Sequence, residues 1–222
     1  MSRDNILVVE TLTRGQSANP LWHYVRKGRL TASHFGSILR ACRRGSYPPS
    51  LFKSLLGCYK TSKAPSVQWG IQHESEAVTE YQKHYGCVDE VGLFLHPSGV
   101  LAATPDRLQG MDCLVEVKCP YAHRNSSISD LLQDPNFYLA INDEGSFTLK
   151  RNHPYYDQCQ GQLFLSGRSQ VYVFVWLLSG SVRVMLDRDE QWATTNIPVL
   201  LNFYFEHFLP KYADSVLTPV LQ

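Results

Sequence analysis

An α/β (α+β) fold, with a mixed, twisted sheet of about five strands flanked by helices, is predicted by three features of this 222-residue sequence. Residues 171–177, VYVFVWL, form an unbroken β-branched and aromatic run, the pattern of a strand covered on both faces. Residues 100–121 read as short strands joined by a turn: Leu101-Ala102-Ala103 leads into Thr104-Pro105-Asp106-Arg107, Gln109-Gly110 breaks the run, and residues 113–118 resume it. Other stretches place apolar residues at helical spacing, as Phe35, Ile38, Leu39 and Cys42 do. Both periods within one chain of this length predict helices packed on a sheet in a single domain, residues 1–222.

In chain order, residues 1–16 read as a strand-like or loose arm, and residues 22–29 as a short helix closed by Gly28. Thr31 is placed to N-cap the next helix, which ends in the basic knot Arg40-Ala41-Cys42-Arg43-Arg44-Gly45. Residues 51–59 predict another short helix and residues 61–66 a loop. A longer helix should run from 67 or 68 to about 85, with Ile71, Glu74, Val78, Tyr81 and Tyr85 along one face. Strands are expected at 92–96 and 100–103 around the Pro97-Ser98-Gly99 turn, with His96 structural at the strand end. Residues 126–151 are polar and turn-rich, which predicts a surface segment with a short helix at 128–133. Pro154 is suited to open a helix reaching Ser166, in which Tyr155, Gln158 and Gln162 share a face. The run at 171–177 should pair with 182–186 through Ser179-Gly180-Ser181, and a helix at 195–212 closes the domain on Phe203, Phe205 or Phe208.

Alternation along 113–118 puts Leu114, Glu116 and Lys118 on one side of a sheet and Cys113, Val115 and Val117 on the other. The neighbouring strand can bring Asp106 to the side of Glu116 and Lys118. Two carboxylates held together on rigid strands are relieved by a divalent cation, and Mg²⁺ favours a few carboxylates, waters and phosphate oxygens. An adjacent lysine can orient or deprotonate a water and steady charge on a phosphate. A surface Glu–Lys pair would contribute little stability; the hydrophobic setting of both arms and the preceding Pro-Asp favour the site. Arg29 before a helix start, with Thr31 and Ser33 in or near its first turn, makes a second, anion-binding constellation. Glu74 occupies an otherwise apolar helix stripe, where a carboxylate needs a cation or a donor.

Net charge is +1, but residues 1–63 carry 11 Lys/Arg against Asp4 and Glu10, so the front of the chain is basic and the remainder acidic. That asymmetry suggests a phosphate-facing side, with Arg43, Arg44, Lys60 and Lys63 as backbone contacts or as a solvated positive face. Six cysteines show neither a C-x-x-C pair nor zinc-finger spacing, and read as reduced, mostly buried thiols. With no N-terminal apolar region and no apolar run long enough to cross a bilayer, the sequence predicts an intracellular protein, nuclear or cytoplasmic.

Pro105-Asp106 followed by Glu116-Val117-Lys118 resembles the PD-(D/E)xK nuclease signature. Gly28-Arg29-Leu30-Thr31-Ala32-Ser33, then Trp69-Gly70 with Glu74, then that centre, then residues 155–162 (YYDQCQGQ) follow the order of motifs in the phage lambda exonuclease and YqaJ-type viral recombinase family, across about residues 20–210. The resemblance implies a restriction-endonuclease-like core at 67–212 behind a basic helical part at 1–66. It implies a Mg²⁺-dependent exonuclease, with Mn²⁺ able to substitute and two ions per site, that degrades linear duplex DNA from a 5′-phosphorylated end and leaves a 3′ strand for recombination. Asp106, Glu116 and the Val117 carbonyl would hold metal with help from Glu74, and Lys118 would position or activate the water. Gln158 would meet the phosphate, with Gln160 and Gln162 as competing assignments, and Arg29, Thr31, Ser33, Tyr155 and Gln160 would bind DNA. Family members form ring-shaped trimers and work beside a single-strand annealing protein. A structure-specific endonuclease or trimming nuclease on the same core, or a silent DNA-end-binding module, are the alternatives.

Overall fold

The computed structural model describes residues 1–58 and 64–217. Residues 61–63 of the predicted loop at 61–66 lie outside the described residues, as do Lys60 and Lys63, and residues 65–66 of it are helical.

The chain opens with a helix, α1 (Arg3–Leu12), where an arm was expected. Leu7, Val8 and Leu12 are exposed while Ile6 and Val9 pack inward, and the buried face also holds Glu10, so no clean apolar period marks the helix. Glu10 is satisfied by Arg14 at 3.0 Å and by the N–H of Gly92 at 2.9 Å. The next helix, α2 (Pro20–Arg26), starts two residues earlier than expected because Asn19 caps it, accepting from the N–H of Leu21. A short strand, β1 (Leu30–Thr31), precedes α3 (Ala32–Arg44), which ends at Gly45 with φ +59°. The α3 core face is Phe35, Ile38 and Leu39, with Cys42 half-buried. Two helices follow, α4 (Pro49–Leu55) and α5 (Pro65–Tyr85). The fully buried residues of α5, Ala77, Val78 and Tyr81, lie in its second half. In the first half Trp69 and His73 are half-buried, with His73 stacked on Trp176, while Ile71 is 68% exposed, so the inward stripe predicted from residue 71 runs along a different face.

The strands β2 (Phe94–Leu95) and β3 (Leu101–Ala103) form the expected hairpin, with β1 parallel to β3 on its other side. At Thr104-Pro105-Asp106 the chain leaves that sheet, since Pro105 has no N–H to extend the ladder. It enters another sheet as β4 (Arg107–Gln109) and turns back as β5 (Cys113–Lys118). Residues 126–151, expected to be polar surface, hold α6 (Ile128–Leu131) and a hairpin of β6 (Leu139–Ile141) and β7 (Phe147–Leu149). Their buried Leu131, Phe137, Tyr138, Leu139 and Leu149 are too scattered among turn residues to announce a strand period.

Pro154 opens α7 (Pro154–Ser166) as predicted, and β8 (Gln170–Leu177) and β9 (Gly180–Asp187) pair antiparallel. The C-terminal helix is longer and interrupted: α8 (Glu190–Phe203), a π-type turn at Tyr204–Phe208, then α9 (Leu209–Leu217). Phe203 and Phe208 are buried and Phe205 is exposed.

Instead of one sheet of about five strands, the described residues form three: β4-β5-β8-β9, with β5 parallel to β8, then β1-β3-β2, and the β6-β7 hairpin. Leu114, Val171, Val173 and Val175 pack toward α3 and α7, while Val115, Val117, Phe174 and Trp176 pack toward α5. Helices therefore cover both faces of β5 and β8. The α3–α7 contact is fixed by two glycines: a Cβ on Gly36 would sit 2.6 Å from Pro154, and one on Gly161 2.5 Å from Phe35. Of the six thiols, Cys159 alone is fully buried, Cys58 and Cys87 are exposed, and all are free, so mostly buried thiols was an overestimate. No described helix is long and apolar enough to cross a membrane.

Candidate active site

On its β4 side, β5 is paired only as far as Val115, opposite Arg107. The N–H of Val117 lies beyond that ladder, and the carboxylate of Asp106 takes it at 2.7 Å. The break between the two sheets thus anchors Asp106 against the next turn of strand. Glu116, 2% exposed, projects from the opposite face to Val117, beneath α7. Lys118 donates to Glu116 Oε1 at 2.5 Å, Gln158 to the same oxygen at 2.5 Å, and Gln162 to Oε2 at 2.7 Å. One turn of α7 separates the two amides, so a single helix face delivers both to one carboxylate. Lys118 also lies 4.6 Å from the centre of the Tyr155 ring, which braces it from the α7 side.

Two carboxylates in a dry setting cannot both carry charge without help. Burial, and then the charge of Glu116, raise the pKa of Asp106 well above its ordinary value. Burial alone would push the Lys118 ammonium down, but Glu116 and Asp106 outweigh it and hold the group protonated. Asp106, Glu116, Gln158 and Gln162 line a cavity of about 180 Å³ with Thr104 and, from the front of the chain, Gln16, Trp22, Arg26, Thr31, Ala32 and Ser33.

The cation from the α2–α3 connection is therefore Arg26. Arg29, predicted for this place, is engaged elsewhere: it donates to the carbonyl of Gly99 at 2.7 Å and also to the carbonyl of Val25. The helix ends at Arg26 rather than beyond Gly28, and that shift decides which arginine points inward. Arg26 stacks 4.1 Å from the centre of the Trp22 ring, and burial lowers its pKa to about 10. Half-buried beside the cavity, it makes no ion pair among the described residues. Thr31 and Ser33 line the cavity, their hydroxyls 3.1 Å apart. Thr31 does not cap α3 with its side chain.

Two more predicted site residues sit elsewhere. Gln160 is buried on the far side of α7, where it donates to the carbonyl of Asp187 and accepts from the N–H of Asp189, both at 2.9 Å. Its offset of two from Gln158 turns it through half a helical revolution. Glu74, with its side chain 40% exposed, pairs with Arg107 at 3.3 Å. It lines a neighbouring cavity of about 190 Å³, although its charge still helps raise the Asp106 pKa.

Gln16, in a segment read as a loose arm, is a residue the sequence did not reveal. Its side-chain amide donates to the carbonyls of Val91, Pro105 and Asp106 at 3.1, 2.9 and 3.4 Å. Among the described residues it is the one non-glycine at positive φ, +47°, a conformation that costs energy and persists where surroundings impose it. The removal of three contacts to partly buried carbonyls gives an expected result: Gln16→Gly, which keeps the backbone conformation accessible, lowers unfolding free energy by about 1–3 kcal/mol in urea titration.

No group of three or more His, Cys, Asp and Glu side chains placed to hold a metal ion occurs among the described residues. Mg²⁺ does not need one, since it uses one or two carboxylates and keeps its waters. The donor set suits such a cation on two counts: burial and mutual repulsion disfavour charge on the Asp106–Glu116 pair, and the buried Oε1 of Gln162 has no hydrogen-bond donor among the described residues. Asp106, Glu116 and the adjacent Val117 carbonyl are the residues that would hold it.

Solved structures with this architecture include the alkaline exonuclease LHK-Exo of Laribacter hongkongensis, matched over 90% of this chain and 97% of that one at TM-score 0.64 and 22% identity. A SOX–DNA complex matches over 93% and 72%, at TM-score 0.57 and 13% identity. The core accordingly has the restriction-endonuclease-like fold of alkaline exonucleases. The alkaline nuclease of Autographa californica nuclear polyhedrosis virus is 27% identical over 92% of this chain, and that of Orgyia pseudotsugata multicapsid polyhedrosis virus 26% over 79%. The chain spans about half the length of these relatives, 52% and 44%. Residues 21–169, which contain Arg26, Asp106, Glu116, Lys118, Gln158 and Gln162, match the YqaJ-like viral recombinase domain, and the chain belongs to that family.

Proposed function

We propose that this chain is a metal-dependent deoxyribonuclease that degrades linear duplex DNA from its 5′ end and leaves a 3′ single strand for recombination. The observation that carries the reading is the convergence of Asp106, Glu116, Lys118, Gln158 and Gln162 beside the half-buried guanidinium of Arg26, which makes no ion pair among the described residues. Mg²⁺, or Mn²⁺ in its place, with two ions per site, would supply Lewis-acid charge at the scissile phosphate. In the metal-free fold Lys118 is held as an ammonium by Glu116 and Asp106, and in that form it would orient water and offset charge growing on phosphate oxygens. Gln158 and Gln162 set the position of Glu116 and add donors without adding charge. Gln16 holds the carbonyls on either side of the Pro105–Asp106 bond in register with β5. Arg26, Thr31 and Ser33 form the seat for the 5′-phosphate. On this reading the 3′ strand passes to a single-strand annealing protein, and the working assembly is a homotrimer.

Purified protein with Mg²⁺ and end-labelled duplexes tests this directly. Linear DNA with a 5′-phosphate should be shortened from that end while covalently closed circles survive. Cutting of closed circles would favour a structure-specific endonuclease, and binding without cutting a silent end-binding module. The two arginines separate the phosphate seat from its neighbour. Arg26→Gln should erase the preference for a 5′-phosphate and raise KM about 10–100-fold, the loss of one charge-assisted contact of about 1.5–3 kcal/mol. Arg29→Gln should keep the preference and lower thermal stability, because its contacts are to backbone carbonyls.

A further inference from the structure

We propose that the hollow between α3 and α4 is a second phosphate-binding site, which holds the backbone of a nucleic-acid strand beside the catalytic cavity. The hollow is about 380 Å³ and takes Ser37, Arg40 and Arg44 from α3, Ser50 and Ser54 from α4, and Pro154 from α7. Positions 33, 37, 40 and 44 are spaced by four, three and four, so these residues form one stripe along α3. Ser33 lines the catalytic cavity and Ser37 the hollow. On α7 the same step recurs, with Gln158 in the cavity and Pro154 at the hollow. Two helices thus pass from one site to the other in four residues, about 6 Å. Their separation is set by the Gly36–Pro154 contact, which leaves no room for a side chain.

The chemistry of the hollow is that of an anion site. Arg14, Arg107, Arg151 and Arg188 each pair with a carboxylate. Among the described residues, neither Arg40 nor Arg44 makes a hydrogen bond or an ion pair within 4 Å. Asp157 feels the field of Arg40 and Arg43, but its carboxylate is buried and accepts from the indole N–H of Trp192 at 2.8 Å. Ser37 donates to the carbonyl of His34 at 2.8 Å and the Ser54 hydroxyl meets the His34 ring at 3.4 Å, so the donors to phosphate oxygens are the Ser50 hydroxyl and the two guanidinium forks, which match such oxygens in pairs. Half or more of the hydrogen bonds a protein makes to DNA go to phosphates and sugars, and that is the contact this stripe of guanidinium and hydroxyl groups offers. The stripe from Ser33 to Arg44 extends about 16 Å, room for more than one phosphate.

Where the cut falls rests on the nuclease reading, but occupancy of the hollow does not, and binding in EDTA separates the two. The variant is Arg40→Gln with Arg44→Gln, compared with the parent and with Arg3→Gln/Lys83→Gln, which removes two exposed charges elsewhere. Fluorescence anisotropy is read on a duplex of about twelve base pairs and on a dinucleotide, between about 50 and 200 mM salt. For the longer ligand the variant should bind at least about tenfold more weakly, and the slope of log K against log salt should flatten by about 1–2, the signature of two lost phosphate contacts. The dinucleotide should bind both proteins equally, and with Mg²⁺ kcat at saturating DNA should match the parent. The same affinity pattern from a parent that cuts nothing would remove the nuclease reading and leave this site standing. Duplex affinity and slope equal to those of the control variant would overturn the site and point to an acidic protein segment as the hollow's ligand. Equal weakening on the dinucleotide would overturn it as well, by placing both arginines in the catalytic cavity.

Discussion

Lys118→Ala is expected to cleave linear DNA about 10²–10³-fold more slowly than the parent at saturating Mg²⁺, while it binds the same DNA in EDTA with little change. The ammonium contacts Glu116 at 2.5 Å and is held in place by the Tyr155 ring, so it is ordered before substrate arrives. An ordered charge in a dry cavity acts with little reorganisation as phosphate charge develops, which is why its removal falls on kcat. Glu116 keeps Gln158 and Gln162 as donors but loses its cation, and a broken buried pair costs about 3–5 kcal/mol. Rates must therefore be compared below the melting temperature of the variant, with circular dichroism as the check. Lys118→Gln keeps a donor and removes the charge. If it recovers the parental rate, hydrogen bonding rather than charge is what Lys118 supplies. A folded Lys118→Ala protein that cuts as fast as the parent would show that the activity comes from something else in the preparation.

The parts of this site that could be read from the sequence are those governed by a period of two or of 3.6. Strand alternation puts Glu116 and Lys118 on one side, and the Pro154 start sets the phase that brings Gln158 and Gln162 to Glu116. The remainder depended on boundaries and long-range packing. A two-residue shift of α2 moves Arg26 inward and leaves Arg29 on the carbonyls of Gly99 and Val25. The helical period alone places Glu74 in a stripe with Ile71, but the first half of α5 packs through Trp69 and His73 instead, which leaves Ile71 exposed and turns Glu74 to Arg107. Gln16 acts through contacts to carbonyls more than 70 residues away, and no local pattern carries that information. The division into separate sheets at Pro105 was legible in principle, since proline ends a ladder, but nothing local says that the strand beyond it joins a different sheet.

The metal-free protein should melt at a higher temperature as Asp106→Asn, and Mg²⁺ should reverse that ranking. Asparagine keeps the oxygen that accepts from the Val117 N–H, at 2.7 Å in the parent, and removes the charge that burial and Glu116 oppose. With the folded pKa of Asp106 above its ordinary 3.8, ionised Asp106 destabilises the metal-free fold fully at pH values above the folded pKa. That penalty is relieved as pH falls through the folded value toward 3.8, so the advantage of Asp106→Asn should be largest at alkaline pH and should close on acidification. For a chain of this length each 1 kcal/mol corresponds to about 2–4 °C in Tm, well within reach of calorimetry. A divalent cation binds the parent's two carboxylates more tightly than a carboxylate and an amide, so at 100 times its Kd it adds about 2.7 kcal/mol to the parent and far less to the variant. Nuclease activity of the variant should fall with its metal affinity. Equal Mg²⁺ stabilisation of both proteins, or a parent more stable than the variant in EDTA at high pH, would remove Asp106 from the cation site.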